Sequence, residues 1–188
     1  MIEVEILVEI KEDYIHALEK LKRFAFINEV TLEDEYFYDP LRNNLKPNSQ
    51  NKTFESFRLR TTSNINQLTY KKDIYRDTIW LYSNENQIEI SNSQIARNII
   101  LLLGLKPLLV LKSKKRYYRL DNYEIVLEQV ENLGIFLEIE YTGNIDESFV
   151  EEEKAKIRTL IKNIDIKTSD ELNCGKPELY VIRNNIKV

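Results

Sequence analysis

The chain has 188 residues, with 27 Lys and Arg against 31 Asp and Glu, a formal net charge of −4 and 43% hydrophobic residues, which is typical of one globular domain over residues 1–188. The acidic balance argues against a protein that coats nucleic acid, and no apolar run approaches the roughly 18 residues of a membrane span. The single cysteine, Cys174, suits a reducing compartment, so we expect a cytoplasmic protein with neither a nucleic-acid nor a membrane partner.

The first half of the chain reads mainly as strands. Apolar and charged residues alternate from Ile2 to Lys11 with the period of a strand, and a stripe at helical spacing follows, ending with Ala25 and Phe26. A polar stretch with two prolines predicts a long loop. The predicted elements are a strand at 2–11, a helix at 12–26, a strand at 30–38, a loop at 39–53, and strands at 54–61, 66–72 and 78–90.

The second half continues in the same manner. Ser91 or Ser93 is placed to cap a helix that Gly104 ends, and a later charged helix has an apolar stripe that includes Phe149. The predicted elements are a helix at 94–103, strands at 108–119, 122–130 and 135–142, and a helix near 147–163. About eight strands with three or four helices, joined by short turns, predict an antiparallel sheet of the α+β class.

The polar faces of these strands are sorted by the sign of their charge. Residues i and i+2 of a strand point the same way, so each of four strands has a row of one sign. The rows are Glu3 and Glu5; Arg58 and Arg60; Lys112, Lys114 and Arg116; and Glu138 and Glu140. An ordinary solvated face with accidental sorting is one explanation.

A closed sheet with the rows pointing inward is the other explanation. Inward charges are costly unless they meet a ligand or each other. A polyphosphate with a divalent metal satisfies both kinds of row, because Arg and Lys bind phosphoryl oxygens and paired carboxylates bind hard cations. The rows therefore indicate a metal–triphosphate site.

Six sequence blocks in order resemble the CYTH group, the tunnel-shaped β-barrel proteins that include class IV adenylyl cyclases, thiamine triphosphatases and inorganic triphosphatases. The blocks are EVE at 3–5, EDEYFYDP at 33–40, FRLR at 57–60, LTYK at 68–71, LKSKKRYYRL at 111–120 and LEQVENLGIFLEIE at 127–140. The resemblance runs from about Ile2 to Tyr141. It implies a closed or nearly closed antiparallel β-barrel of about eight strands with helices packed outside.

The same resemblance implies roles for individual residues. The implied catalytic residues are Glu3, Glu5 and Lys71. The implied substrate-binding residues are Arg58, Arg60, Lys71, Lys112, Lys114 and Arg116. The implied ligands of Mg²⁺ or Mn²⁺ are Glu3, Glu5, Glu128, Glu138 and Glu140. The implied substrate is a small triphosphate such as tripolyphosphate, ATP or thiamine triphosphate, and a homodimer is one option for the oligomeric state.

Two positions depart from the family pattern. Leu7 stands where the opening motif has lysine, and Ser83 stands where a later motif has arginine. Leu7 is either a lost phosphate-binding position in an intact site or part of an apolar remodelling of the tunnel. Three functions stay open: hydrolysis of a triphosphate, which leads; cyclisation of ATP to cyclic AMP by a class IV cyclase; and triphosphate binding without catalysis.

Other features have a plain structural interpretation. The basic run at 112–119 is better explained as strand lining than as a nucleic-acid patch, because strand alternation underlies it. We expect Trp80 and the tyrosine pair at 117–118 to pack in or at the rim of the barrel. We expect His16 and Cys174 to have no catalytic role, because no partner residue accompanies either of them in the sequence.

Overall fold

Eight strands and four α-helices follow one another in the computed structural model, which describes residues 2–188. The strands are β1 (Ile2–Glu9), β2 (Ala25–Tyr38), β3 (Glu55–Thr62), β4 (Asn66–Arg76), β5 (Ile79–Ile90), β6 (Lys106–Leu120), β7 (Tyr123–Val130) and β8 (Gly134–Tyr141). The helices are α1 (Tyr14–Leu21), α2 (Ser93–Leu102), α3 (Val150–Ile164) and α4 (Lys176–Asn184), with 3₁₀ turns at Asn43–Leu45 and Glu147–Phe149. None of these helices is long and apolar enough to cross a bilayer.

The strands close into a barrel, and every neighbouring pair is antiparallel. Their order around the barrel is β1, β5, β4, β3, β2, β6, β7 and β8. The first strand closes the sheet because it pairs with two partners: Glu3 lies opposite Ser83 of β5, and Leu7 lies opposite Glu138 of β8. The predicted α+β class and the closed antiparallel barrel of eight strands are confirmed.

The main apolar core lies outside the barrel, between the sheet and the helices. Successive side chains of a strand point to opposite faces, so Val4, Ile6 and Val8 pack outward while the alternate residues point into the barrel. Ile157 of α3 is fully buried in the same core. Burial of each large aliphatic side chain contributes about 1.5–3 kcal/mol. The outer face therefore stabilises the fold, and the inner face can carry polar groups.

Strand pairing shortens the first predicted helix. We predicted a helix over 12–26, but α1 ends at Leu21, and Ala25 and Phe26 belong to β2. These two residues lie opposite Arg119 and Tyr118 of β6. The long pairing of β2 with β6 thus overrides the local helical spacing.

The other helices differ from prediction at their ends. Asn92, rather than Ser91 or Ser93, caps α2, and its Oδ1 accepts a hydrogen bond from Ile95 N at 2.9 Å. Phe149 was expected in the buried stripe of α3, but it lies in the preceding 3₁₀ turn and is exposed. We did not predict α4. Its start carries a Gly followed within two residues by Pro177, which is a known signal for a helix N-terminus.

Candidate functional site

The barrel interior is a charged cavity of about 380 Å³. Among residues 2–188, ten carboxylates and five cationic side chains line it. The carboxylates belong to Glu3, Glu5, Asp34, Asp73, Glu85, Glu124, Glu128, Glu138, Glu140 and Glu178. The cations belong to Arg58, Arg60, Lys71, Lys115 and Lys176. Acidic groups therefore exceed basic groups by five, and a buried excess of this kind favours uptake of protons or of a cation.

Two guanidinium groups share one carboxylate on the β2–β3 wall. Arg60 Nε and Nη2 each donate to Asp34 at 2.8 Å, and Arg58 Nη1 lies 3.6 Å from the same carboxylate. Burial alone would raise the pKa of Asp34, but the two arginines lower it to about 2. Arg58 Nη2 donates to Thr69 Oγ1 at 3.1 Å, while its buried Nε has no hydrogen-bond partner. This nitrogen is a donor available to a bound anion.

Lys71 of β4 lies among three carboxylates. Its Nζ is 2.5 Å from Glu3, 3.0 Å from Glu85 and 3.7 Å from Glu5. Burial alone would lower the pKa of Lys71, but these carboxylates raise it well above its usual value. For Glu3, burial raises the pKa to about 8 despite the nearby ammonium. Lys71 therefore stays protonated near neutral pH, whereas Glu3 can exchange a proton.

Two lysines neutralise a second carboxylate pair on β7 and β8. Lys115 Nζ lies 3.4 Å from Glu128 and 3.8 Å from Glu138. Lys176 Nζ lies 2.6 Å from Glu128 and forms a short ion pair with Glu138. Burial opposes ionisation of both carboxyls, but the two ammonium groups hold their pKa values below the usual range. This pair is already compensated.

Glu140 is crowded by other carboxylates. It lies opposite Glu5 of β1 and Glu124 of β7 in the sheet. Burial, followed by the charges of Glu3 and Glu5, raises the pKa of Glu140 to about 9. These oxygen donors are of the type that Mg²⁺ and Mn²⁺ prefer. Nevertheless, no three acidic, histidine or cysteine side chains within residues 2–188 converge as a preformed metal site. A divalent cation would therefore require side chains to turn toward it, and the chemistry of the donors fits one.

The cavity brings together most of the predicted site residues. Those that line it are Glu3, Glu5, Arg58, Arg60, Lys71, Glu128, Glu138 and Glu140. The prediction that Lys112, Lys114 and Arg116 point inward is wrong. Lys112 is 61% exposed and lies 3.6 Å from Glu33, and Lys114 lies 2.7 Å from Glu29, which also binds Arg116. These residues pair with an acidic row on the outer face of β2.

The side chains of β6 that point into the barrel are those of the alternate residues. Lys115 and Tyr117 line the cavity, in phase with Leu111. A row of like charge can be compensated from a neighbouring strand on either face of a sheet, so its sign alone does not decide which face is inside. Sequence reasoning missed Lys115 for this reason. It missed Lys176 because the helix that carries it lies outside the strand pattern.

The two positions that depart from the family pattern have new packing roles. Leu7 is 2% exposed and packs in an apolar cluster with Leu179 and Val181 of α4. Ser83 accepts a hydrogen bond from Trp80 Nε1 at 3.2 Å and donates to Asp73 at 2.7 Å. The interpretation of Leu7 as part of an apolar remodelling thus agrees with the structure.

Comparison with known proteins finds one matching family and several similar proteins. The CYTH domain family matches residues 1–172. A Methanocaldococcus jannaschii protein named "Putative adenylate cyclase MJ0240" is 32% identical over 142 residues, which cover 74% of this chain and 77% of that protein. The PH1819 protein of Pyrococcus horikoshii has a similar structure, with a TM-score of 0.81, 23% identity and coverage of 96% of this chain and 99% of that one. A Hippeastrum protein described as a "putative adenylyl cyclase" with dominant triphosphatase activity has a TM-score of 0.68, 17% identity and coverage of 100% and 98%.

Proposed function

We propose that this chain, which belongs to the CYTH domain family, hydrolyses tripolyphosphate or an organic triphosphate inside its barrel with the help of Mg²⁺ or Mn²⁺. One observation carries the proposal. One wall of the cavity holds two buried arginines, Arg58 and Arg60, which share a single carboxylate, and another part holds carboxylates around Glu3 and Glu140, which have too few cations of their own.

The cationic wall would bind the phosphate chain. Arg58 has a buried Nε without a hydrogen-bond partner, and its Nη1 lies 3.6 Å from Asp34, which is too far for a hydrogen bond. Arg58 can therefore turn these donors to phosphoryl oxygens. Arg60 keeps both hydrogen bonds to Asp34, and this holds its guanidinium in place. Bidentate arginine contacts are well suited to phosphate geometry. Arg60 would therefore orient the wall, and Arg58 would provide most of the new contacts.

The carboxylate side would hold the metal. Glu3, Glu5 and Glu140 are the best candidates, because burial raises the pKa of each of them. Glu3 and Glu5 share the ammonium of Lys71, and Glu140 lies opposite Glu5 in the sheet. Glu128 and Glu138 are weaker candidates, since two lysines already compensate them. A divalent cation there would neutralise phosphate charge during the reaction.

Proton transfer fits Glu3. Burial raises the pKa of Glu3 to about 8, and a cation held beside it would lower that pKa, which leaves an ionised carboxylate that can act as a general base near neutral pH. Glu3 would accept a proton from the attacking water, while Glu5 supports the ionised state of Lys71. Lys71 would place its ammonium against the phosphate charge that develops in the transition state. Positioning and charge neutralisation thus account for most of the catalysis.

Cyclisation of ATP is the second candidate, and the relative with 32% identity favours it through its name. In that reaction, the ribose 3′-hydroxyl attacks the α-phosphorus and pyrophosphate leaves. The same cationic wall would serve both reactions, and they differ in which phosphorus meets the nucleophile. We favour hydrolysis because it requires no separate nucleoside pocket.

The decisive experiment is incubation of the purified protein with tripolyphosphate, ATP or thiamine triphosphate, each with Mg²⁺ or Mn²⁺, followed by identification of the products. Release of orthophosphate supports the proposal. Cyclic AMP with pyrophosphate would replace it with the cyclase. Binding measured by calorimetry without any product would indicate a triphosphate-binding protein. Lys71→Gln serves as the inactive control, and the exposed Lys112→Gln serves as the matched silent control.

A further inference from the structure

One end of the cavity is covered by other parts of the chain. The side chains of β4 that point inward run from Asp73 at this end to Gln67 at the other. Asp73 N donates to Phe54 O at 2.9 Å, and the neighbouring Thr53 N donates to Glu178 of α4 at 3.0 Å. Glu178 is only 3% exposed. The loop before β3 and the first turn of α4 therefore leave little room for a bulky group at the Asp73 end.

The opposite end of the cavity is open to solvent. Gln67 lies there, opposite Arg60 of β3 and Glu89 of β5. Gln87 is two residues from Glu89 on the same face of β5, and it both lines the cavity and is exposed. Of the two arginines on the β3 wall, Arg60 is thus nearer to solvent. The organic part of a triphosphate bound at these arginines would lie at this open end.

Tyr117 of β6 places an aromatic ring beside the open end. It lines the cavity and lies within electrostatic range of Arg60. β2 pairs with β6 along almost its whole length but with β3 only from Leu32 onward, and Tyr117 lies opposite Asn28, in the part of β2 that extends beyond β3. Within residues 2–188, the Tyr117 ring stacks on no other aromatic ring or cation. A face of this ring is therefore available to a flat group.

Glu124 of β7 provides hydrogen-bond acceptors next to this ring. Tyr117 lies directly opposite Val126, and Glu124 is two residues further along on the same inner face. Such diagonal neighbours are about 7–8 Å apart, within reach of long side chains. Glu124 makes no hydrogen bond or ion pair with any other residue in the described part of the chain. The combination fits a flat ring that carries an N–H donor.

We propose that Tyr117 and Glu124 select organic triphosphates whose head is a flat ring with an exocyclic amino group, the ring stacking on Tyr117 and the amino group donating to Glu124. The inference rests on the proposed function, because the triphosphate must bind at Arg58 and Arg60 for the head to reach this end. The position of the ring is the same for hydrolysis and for cyclisation. It therefore does not depend on which of these reactions follows.

The first test separates the ring contact from the phosphate contacts. Affinities of the full-length chain for ATP and tripolyphosphate are measured by calorimetry with Ca²⁺ in place of Mg²⁺, and product analysis confirms that each ligand stays intact. We expect Tyr117→Leu to weaken ATP binding by about 5- to 150-fold, the range for one base–aromatic stacking contact. Tripolyphosphate affinity should stay within about twofold of wild type. Tyr117→Phe keeps the ring and should bind ATP within about threefold of wild type.

The second test compares ATP with inosine triphosphate, which has a carbonyl oxygen in place of the amino group. Wild-type protein should bind ATP about tenfold or more tightly than inosine triphosphate, the effect of one hydrogen bond to a charged group. Glu124→Leu removes the acceptor and should reduce this preference to about threefold or less. Glu33→Leu is the matched control, since Glu33 is a half-exposed carboxylate on the outer face of β2.

Three outcomes would overturn the inference. The first is ATP affinity that Tyr117→Leu leaves unchanged, and the second is a preference for ATP over inosine triphosphate that Glu124→Leu leaves unchanged. The third is an equal loss of ATP and tripolyphosphate affinity in Glu124→Leu, which would place Glu124 with the phosphates or their cation. In all three, wild-type binding of tripolyphosphate still supports the proposed function. Wild-type protein that binds neither ligand would overturn the proposed function and this inference together.

Discussion

Replacing Arg60 by glutamine should destabilise the fold more than the same change at Arg58. Arg60 makes two hydrogen bonds of 2.8 Å to Asp34, whereas the nearest nitrogen of Arg58 is 3.6 Å from that carboxylate. Asp34 is 4% exposed, so its charge cannot be solvated when its main partner is removed. Loss of one partner from a buried ion pair typically costs about 3–5 kcal/mol. We expect the lower end for Arg60→Gln, because Arg58 remains nearby.

The pKa of Asp34 reports its interaction with Arg58 and Arg60 together. Lowering it from 3.8 to about 2 corresponds to roughly 2 kcal/mol of stability at neutral pH, at about 1.36 kcal/mol per pKa unit. Because the folded pKa lies below the unfolded one, this stabilisation is complete above about pH 4. It is lost as the pH falls from about 4 toward 2. The acid dependence of stability in this window should therefore depend on Asp34.

Urea unfolding followed by circular dichroism measures both effects. The free energy of unfolding is compared at pH 7 for wild type, Arg60→Gln and Arg58→Gln, and then from pH 4.5 to pH 2.5 for wild type and Asp34→Asn. The difference between wild type and Asp34→Asn should shrink as the pH falls. Equal stability of Arg60→Gln and wild type at pH 7, or a difference that does not change with pH, would refute the interpretation of this ion pair.

Three further predictions concern ligand binding and turnover. Arg58→Ala should weaken binding of tripolyphosphate and ATP alike by about 1.5–3 kcal/mol in calorimetry; a loss confined to ATP would show that Arg58 contacts the nucleoside. Lys115→Gln should slow tripolyphosphate hydrolysis by about 10²-fold or more, whereas Lys112→Gln on the outer face should leave the rate unchanged. Equal rates for the two variants would contradict the prediction that the inward-pointing lysine of β6 contributes to catalysis. Glu140→Gln should raise the Mg²⁺ concentration for half-maximal turnover about tenfold, because losing one metal ligand is expected to cost about 1.4 kcal/mol of binding free energy, and the melting midpoint should not fall. An unchanged Mg²⁺ requirement would show that Glu140 does not bind the metal.

The sequence alone was sufficient to predict the strands and several of the charged rows that line the cavity. Alternation with a period of two puts Glu3 with Glu5, Arg58 with Arg60 and Glu138 with Glu140, and all six line the barrel. In β1 and β8 the opposite face is continuously apolar, for example at Val4 and Ile139, so the inner and outer faces can be told apart locally. Residues with this contrast were placed correctly.

Where that contrast is weak, only the tertiary structure determines which side chains point into the barrel. In β6, apolar residues occur in both phases, and only the pairing with β2 and its outer acidic row turns Lys112 outward and Lys115 inward. Closure of the barrel depends on β1 pairing with both β5 and β8, which are distant in sequence. Lys176 reaches the cavity because Arg183 and Leu179 fix α4 against β1, and contacts between such distant segments leave no periodic pattern in the chain. Strand periodicity is a local property of the sequence, whereas the register of long-range pairs and the docking of a terminal helix depend on the packing of the whole fold.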